Sequence, residues 1–522
     1  MSSRVGLFGC MFLIGCAGQS APPPVVGELV FVRGGVIAPS GEGVTTPAGV
    51  IVAHPWKPGD TVEVGGLSSV APARAACTRL FSVDLGDVSR LVAMGGAAPN
   101  STLAFSPDGT KLAVGSYRGE LLVLDAFTGD VLARKSLAET MVKEVDWSAD
   151  GETLYAAEQS PDAMVYAMDP ATLTPRWTLR LADFVGSSAP PPAEDLYGVY
   201  TLPGAYTQVV LPDGDLLVSA LHSWDLDGVK TNRSQILRIG TDGTVTDRWP
   251  EEPADATFQH VAVDRAGGLI AVTINRSADG APPTDLPVGG VMVLDLDTLT
   301  PMLPIMTEPL EPWFSYTFIW NGLAVSRADD AVFMGFGDGR ARLLSLTGES
   351  RLELTTGAPI LAGDVPIHAS VGWGGISAGR LIYSTSTTLI PYGAASASLR
   401  PPTAHPGENT LWAVGLDGAA QWSWTGPQRI EGLSFAEDGR HLIVGAGDRK
   451  TDERRDLYGA LVFSLTGADR SGEERLEAFC QTEGPVFFRH TLSADGRVAV
   501  AEHPYTDTDG TVKGHYQVTV LR

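Results

Sequence analysis

Carboxylate, imidazole and thiol side chains are the groups that hold metals, pass protons or attack carbonyls, and in this chain they carry no local signature. The nine histidines, at positions 54, 222, 260, 368, 405, 441, 490, 503 and 515, never fall at His-x-x-x-His spacing. There is no phosphate-binding loop and no dinucleotide fingerprint. Asp507-Thr508-Asp509-Gly510 and Asp225-Leu226-Asp227-Gly228 resemble calcium loops, but both lack the first acidic ligand and the distal glutamate. Aspartate-rich hairpin turns account for both. A site in this protein has to be assembled from distant loops by the fold.

The elements that would do so recur along most of the chain. An apolar strand ends in a tight polar turn and a second apolar strand follows at once, most clearly in Leu103-Ala104-Phe105, Ser106-Pro107-Asp108-Gly109 and Leu112-Ala113-Val114. Leu121 to Asp125 and Val131 to Ala133 add two more strands, making a four-stranded unit. Asp-Gly suits a hairpin because Gly accepts positive φ and Asp bonds its own turn backbone. Further copies centre on Ser148 to Gly151, Pro212 to Gly214, Ala436 to Gly439 and Ser493 to Gly496, with degenerate ones at Asp264 to Gly268, Ser326 to Asp330 and Ser377 to Gly379. Successive turns lie roughly 40 to 65 residues apart, the period of a repeat architecture with insertions in its loops. Sixty glycines, 36 prolines and 19% charged residues fit many short strands joined by many turns.

These units resemble the repeats of WD40-like and YVTN-type β-propellers from about Cys77 to Arg522. Val165-Tyr166-Ala167-Met168-Asp169 with Thr172 and Trp177, and Leu411-Trp412-Ala413-Val414 with Asp417, Gly418 and Trp422, also resemble the quinoprotein-like repeat, although Leu173 stands where that repeat usually has Gly. The resemblance implies an all-β propeller of eight four-stranded blades, or seven if one degenerate unit is an insertion. The last unit is one strand short, and Leu80 to Val92 supply a strand pair that would complete it. Catalytic quinoproteins typically use adjacent cysteines, which this chain lacks, so its tryptophans are expected to pack blades rather than carry a quinone.

In a propeller the loop after each blade's second strand opens toward the central channel. Glu158, His222, Asn275, Glu502 and His503 fall there. Such groups could hold a divalent metal or act as acid and base; the plainer reading is a solvated polar funnel. No cofactor is expected, and a metal ion is left open.

Ahead of the repeats, Arg4 and the apolar run Val5 to Ile14 have the form of a secretory signal, too short to cross a bilayer as a helix. Leu13-Ile14-Gly15-Cys16 resembles the lipobox of bacterial lipoproteins. That resemblance implies a leader of residues 1–15, lipidation at Cys16, a Pro-rich tether over 16–27, a small β extension over 28–72 and the propeller over 73–522. Leu29 to Val32, Val50 to Ala53 and Thr61 to Val64 alternate weakly within the extension. Ala17 in place of Asp points to the outer membrane by the enterobacterial sorting rule. Pro-rich stretches at Ala189 to Ala193 and Ala281 to Pro287, and the segment Pro391 to Asn409, read as exposed loops.

With Cys10 and Cys16 in the export segment, Cys77 and Cys480 are left in a compartment that permits disulfides. A bond between them would close a loop of roughly 400 residues and contribute ~3–5 kcal/mol; two separate buried thiols are the alternative. The net charge of −24 repels nucleic acid and anionic membrane faces. Some non-enzymatic relatives of this fold are lipoproteins, notably the propeller subunit of the machinery that assembles outer-membrane barrels. The resemblance therefore implies an envelope binding scaffold with a protein or other envelope partner. A propeller enzyme (metal-dependent hydrolase, lyase or oxidoreductase) with its site at the channel mouth, and an extracellular sugar or peptide sensor, are the alternatives.

Overall fold

The structure is a computed structural model. It describes residues 44–46, 49–51, 63–64, 67–68 and 75–522, except 87–101, 139, 191–197, 227–228, 276–285, 287–288, 308–321, 338, 356–358, 363–364, 386–404, 428, 437–438, 448–457, 468–469 and 507–510. The leader, Cys16, the tether and Leu29 to Val32 lie outside the described residues, as do Asp507 to Gly510 and most of the Pro-rich insertions. In the expected extension, Val44–Thr46 pairs with Gly49–Ile51 and Glu63–Val64 with Leu67–Ser68. Among the described residues no helix is long and apolar enough to cross a membrane.

In the repeat region the described strands form five four-stranded antiparallel sheets, an eight-stranded sheet made of two four-stranded units bridged at Gln159 and Gly204, and a four-stranded unit extended by a fifth strand; these eight four-stranded units are numbered here as blades in chain order. Blade 1 is Thr102–Phe105, Lys111–Gly115, Glu120–Asp125 and Val131–Ser136. Blade 2 runs from Met141 to Arg180, blade 3 from Gly204 to Ala254, blade 4 from Val261 to Met306, blade 5 from Leu323 to Thr355, blade 6 from Val371 to Thr425 and blade 7 from Ile430 to Gln481. Each of the eight polar turns read from the sequence joins the first strand of a blade to its second. Blade 8 takes Val486–Leu492, Val498–Glu502 and Gln517–Leu521 from the C-terminus and its fourth strand, Arg79–Asp84, from the N-terminal side. Of the strand pair expected between Leu80 and Val92, that one strand is described.

The ring closes because every blade is apolar on both faces and must be covered on both. Leu121 to Leu124 are all at most 2% exposed, the continuous burial of a sheet packed between two others. One apolar cluster fills each seam, from blade 1 against 2 round to blade 8 against 1, where Leu103 and Leu122 meet Val518 and Val520. The first strand of blade 8 also lies against that of blade 1. The chain is a β-propeller.

The repeated turn is rigid for a local reason. Ser106 Oγ donates to Asp108 Oδ1 at 2.6 Å and accepts from the Lys111 amide at 2.9 Å, while Gly109 sits at φ +69°. Ser148 with Asp150 and Ser493 with Asp495 repeat the bond at 2.6 Å. These hydrogen bonds, that from Ser106 foremost, hold the Asp108 carboxyl down at about 2.

At several seams a long cation reaches from one blade to the turns of the next. Arg497, in blade 8, donates to the carbonyls of Ala126 at 2.8 Å and Gly109 at 2.7 Å in blade 1. Arg238 of blade 3 reaches Asp297 O of blade 4 at 2.8 Å, and Lys135 of blade 1 reaches Leu173 O of blade 2 at 2.8 Å. At the other side of blade 7, Ala75–Ala76 adds in parallel to Leu476–Gln481 as a fifth strand, and Cys77 is disulfide-bonded to Cys480 with their Cα atoms 4.8 Å apart.

Candidate functional face

Strand alternation sorts the chemistry between the two faces of the ring. Turns joining strands one to two and three to four lie on one face and carry the Asp-Gly and Asp-x-x-Thr sequences. Loops joining strands two to three, and each blade to the next, lie on the other. There the second strands of blades 2, 3, 4 and 8 end, placing Glu158, His222, Asn275 and Glu502 beneath one surface.

Each is buried within its own blade, at 3%, 1%, 3% and 0% exposure, as is His503 at 1%. Among the described residues no group of three or more His, Cys, Asp or Glu could hold a metal ion. Glu502 accepts from the amides of Glu483 at 2.8 Å and Gly484 at 2.9 Å and from the Thr519 hydroxyl, fixing the link into blade 8. The Asn275 backbone brackets Thr257, each amide donating to the other's carbonyl. The His503 ring lies 5.6 Å from that of Tyr516.

A buried polar cluster lies between blades 2 and 3, and half of it had no signal in the sequence. Lys143 Nζ donates to Gln159 Oε1 at 2.9 Å and sits 3.1 Å above the Tyr206 ring. Gln159 Nε2 donates in turn to Tyr206 Oη at 3.1 Å and to the Leu202 carbonyl; burial pushes the Tyr206 hydroxyl up to about 12. Glu158 accepts from Tyr166 Oη at 2.5 Å and from Ser160 Oγ at 2.7 Å. Above them rises the longest hairpin of the ring, Leu216–Leu226 with Val229–Ile239, in which His222 stacks on Trp224 with ring centres 4.1 Å apart. Asp225 lies on this hairpin, in a strand rather than in a calcium loop. Lys143 and Tyr206 stand on first strands whose apolar patterning gave no cue; a lysine inside a buried strand is the one signal that could have marked the place.

Burial raises the Glu158 carboxyl above the ordinary glutamate range, and its hydrogen bonds from Tyr166 and Ser160 only partly oppose the shift. The folded protein therefore keeps this proton longer than the unfolded chain does. This group's contribution is most favourable below the ordinary glutamate pKa and declines as pH rises through the raised value. Glu158→Gln is expected to remove that decline, so that the variant melts no lower than the parent at pH 8. Melting curves across pH 4–8 check it, and identical slopes for the two proteins would show that Glu158 is not the source.

Trp177 and Trp422 pack blades as expected. Trp177 Nε1 donates to Thr241 O of blade 3 at 2.9 Å, and Trp422 is 7% exposed in the seam between blades 6 and 7. Other rings border the same face: His368 and His405 lie 5.7 Å apart, Tyr458 and Tyr505 5.4 Å apart, and Tyr516 Oη accepts from the Tyr117 amide at 2.9 Å.

No family model matches the chain, and no curated protein matches it in sequence. Among solved structures it is similar to the C-terminal WD40 domain of Sif2, at 12% identity and TM-score 0.48 over 86% of this chain and 99% of that one. It is also similar to BamB from Moraxella catarrhalis, at 14% identity and TM-score 0.45 over 86% of this chain and 98% of that one.

Proposed function

We propose that the chain is an exported, lipid-anchored envelope protein whose propeller is a binding scaffold, presenting one face to a protein partner. The observation that supports this most is the long hairpin Leu216–Leu226 with Val229–Ile239, which presents partly exposed Trp224 and exposed Arg233 on the face opposite the short, self-bonded Asp turns. Tyr, Trp and Arg are the anchors of protein interfaces, and a ring of mutually packed blades holds them without the ordering cost that weakens binding by mobile loops. Lipidation of Cys16 would fix the ring to a membrane surface, with residues 16–27 as the tether.

Two measurements test the two halves of this reading. A photo-crosslinking residue at Asp225, on the long hairpin, is expected to capture an envelope protein that the same group at Asp150, on the opposite face, does not. Equal capture from both positions, or from Asp150 alone, would overturn the assignment of the face. Cys16→Ser is expected to abolish incorporation of labelled palmitate and to move the protein from the membrane fraction to the soluble periplasmic one; palmitate retained in the variant would remove the anchor.

A further inference from the structure

We propose that Ser188 is a nucleophile activated by His222, forming a site for acyl transfer at the base of the long hairpin. This goes beyond the scaffold reading and does not depend on it. The link between blades 2 and 3 begins with the short helix Ala182–Val185 and bends at Gly186, φ +83°. Ser187 Oγ donates to the Pro161 carbonyl at 2.6 Å and pins the bend to blade 2. The next residue, half-buried Ser188, is thereby delivered to the hairpin of blade 3, with its Oγ 2.6 Å from His222 Nε2.

The imidazole is oriented for this task by a third group. The Val185 carbonyl, which can only accept, lies 3.2 Å from His222 Nδ1. Assigning the ring proton to Nδ1 for that contact leaves the Nε2 lone pair facing the serine hydroxyl, the arrangement in which histidine serves as base to a nucleophile. Burial lowers the His222 pKa and outweighs the Val185 and Thr201 carbonyls that favour the cation, with Arg233 adding to the depression, so the ring is neutral and able to take a proton. Arg233 stands directly opposite His222 in the hairpin register. A side-chain carbon on Gly186 would sit 3.5 Å from Arg233 Nη1 and 3.7 Å from His222 Nδ1, so bend, base and guanidinium share one small volume. Arg233 itself is exposed, a positive charge available to a developing oxyanion.

The chemistry this supports is hydrolysis of a carboxylic ester. Ser188 Oγ bonds to the acyl carbon as its proton passes to Nε2, and the acyl oxygen takes up negative charge facing Arg233. The bond from acyl carbon to alkoxy oxygen then breaks, and the alcohol leaves with the proton from Nε2. Water repeats the sequence on the acyl-serine, releasing the carboxylic acid and restoring the serine hydroxyl.

A fluorophosphonate probe on the full mature chain, followed by peptide mapping, tests the assignment. One adduct is expected, on Ser188; it should vanish in Ser188→Ala and persist in Ser350→Ala, an exposed serine of blade 5, with circular dichroism confirming that both variants fold. His222→Gln is expected to slow labelling by about 10²–10⁴-fold, the usual worth of a general base. Should that variant fail to fold, the parent protein's labelling rate still decides, because it must fall as pH drops through the depressed pKa of His222. No adduct, labelling of Ser188 no faster than of Ser187, or a rate indifferent to pH would each overturn the proposal.

Discussion

Replacing Arg497 by alanine is expected to lower the free energy of unfolding by about 3–5 kcal/mol, the scale seen when a buried charged group that satisfies several partners is removed. The side chain is 1% exposed, its guanidinium donates to the Ala126 and Gly109 carbonyls and to both Asp495 oxygens, and it lies 3.8 Å above the Phe127 ring. Truncation leaves two carbonyls in the seam without these donors and a void beneath Phe127. Lysine at this position is expected to recover only part of the loss, because one ammonium cannot reproduce the planar fork that spans two carbonyls and a carboxylate. Arg134 offers the contrast. It pairs with Glu120 at 2.7 Å but its side chain is 56% exposed, so Arg134→Ala should change stability by no more than ~1 kcal/mol. Urea unfolding of the three variants at neutral pH settles the matter. Equal small losses for Arg497→Ala and Arg134→Ala would mean that the seam between blades 8 and 1 is held by its apolar cluster alone.

Arg497 also marks the boundary of what the sequence could reveal. Ser493 to Gly496 was legible as a hairpin turn because Asp-Gly carries its own backbone preference, and all eight turns fall between first and second strands for that reason. The same local logic made the missing strand of the last unit visible. What was not legible depends on pairs far apart in the chain. Nothing near Arg497 announces that it meets Gly109, and nothing near Ala75 announces a fifth strand on blade 7. The site shows the same division. Glu158, His222, Asn275 and Glu502 could be placed at equivalent strand ends from the repeat alone. Whether they converge is a question about eight radial directions, to which no single blade's sequence speaks. Ser188 was invisible in a Pro-flanked loop, since only the bend at Gly186 brings it onto His222.

Cys77 and Cys480 test how the ring is closed. With Cys77→Ser and Cys480→Ala combined, the alanine avoiding a hydroxyl at a position with no exposed surface, the ring is expected to fold and to lose about 4 kcal/mol of stability. The chain-entropy model gives about 6 kcal/mol for a loop this long, and measured disulfides usually fall short of it. The native ring has two other closures at the same place: five register pairs between Arg79–Asp84 and Gln517–Leu521, and reciprocal bonds between the backbones of Thr78 and Arg522 at 2.6 and 2.9 Å. These survive the double substitution, so the folded state should keep its shape while the unfolded chain, freed of a 403-residue constraint, expands. Expansion exposes more surface on unfolding, and the urea m-value should therefore rise as the midpoint falls. A midpoint that falls with m unchanged would place the effect in the folded ring instead, at the short parallel pairing of Ala75–Ala76 with Ala478 and Phe479. In that case limited proteolysis should cut ahead of Arg79 faster in the variant than in the parent, because a two-residue strand has too few hydrogen bonds to stay docked once its covalent neighbour is gone.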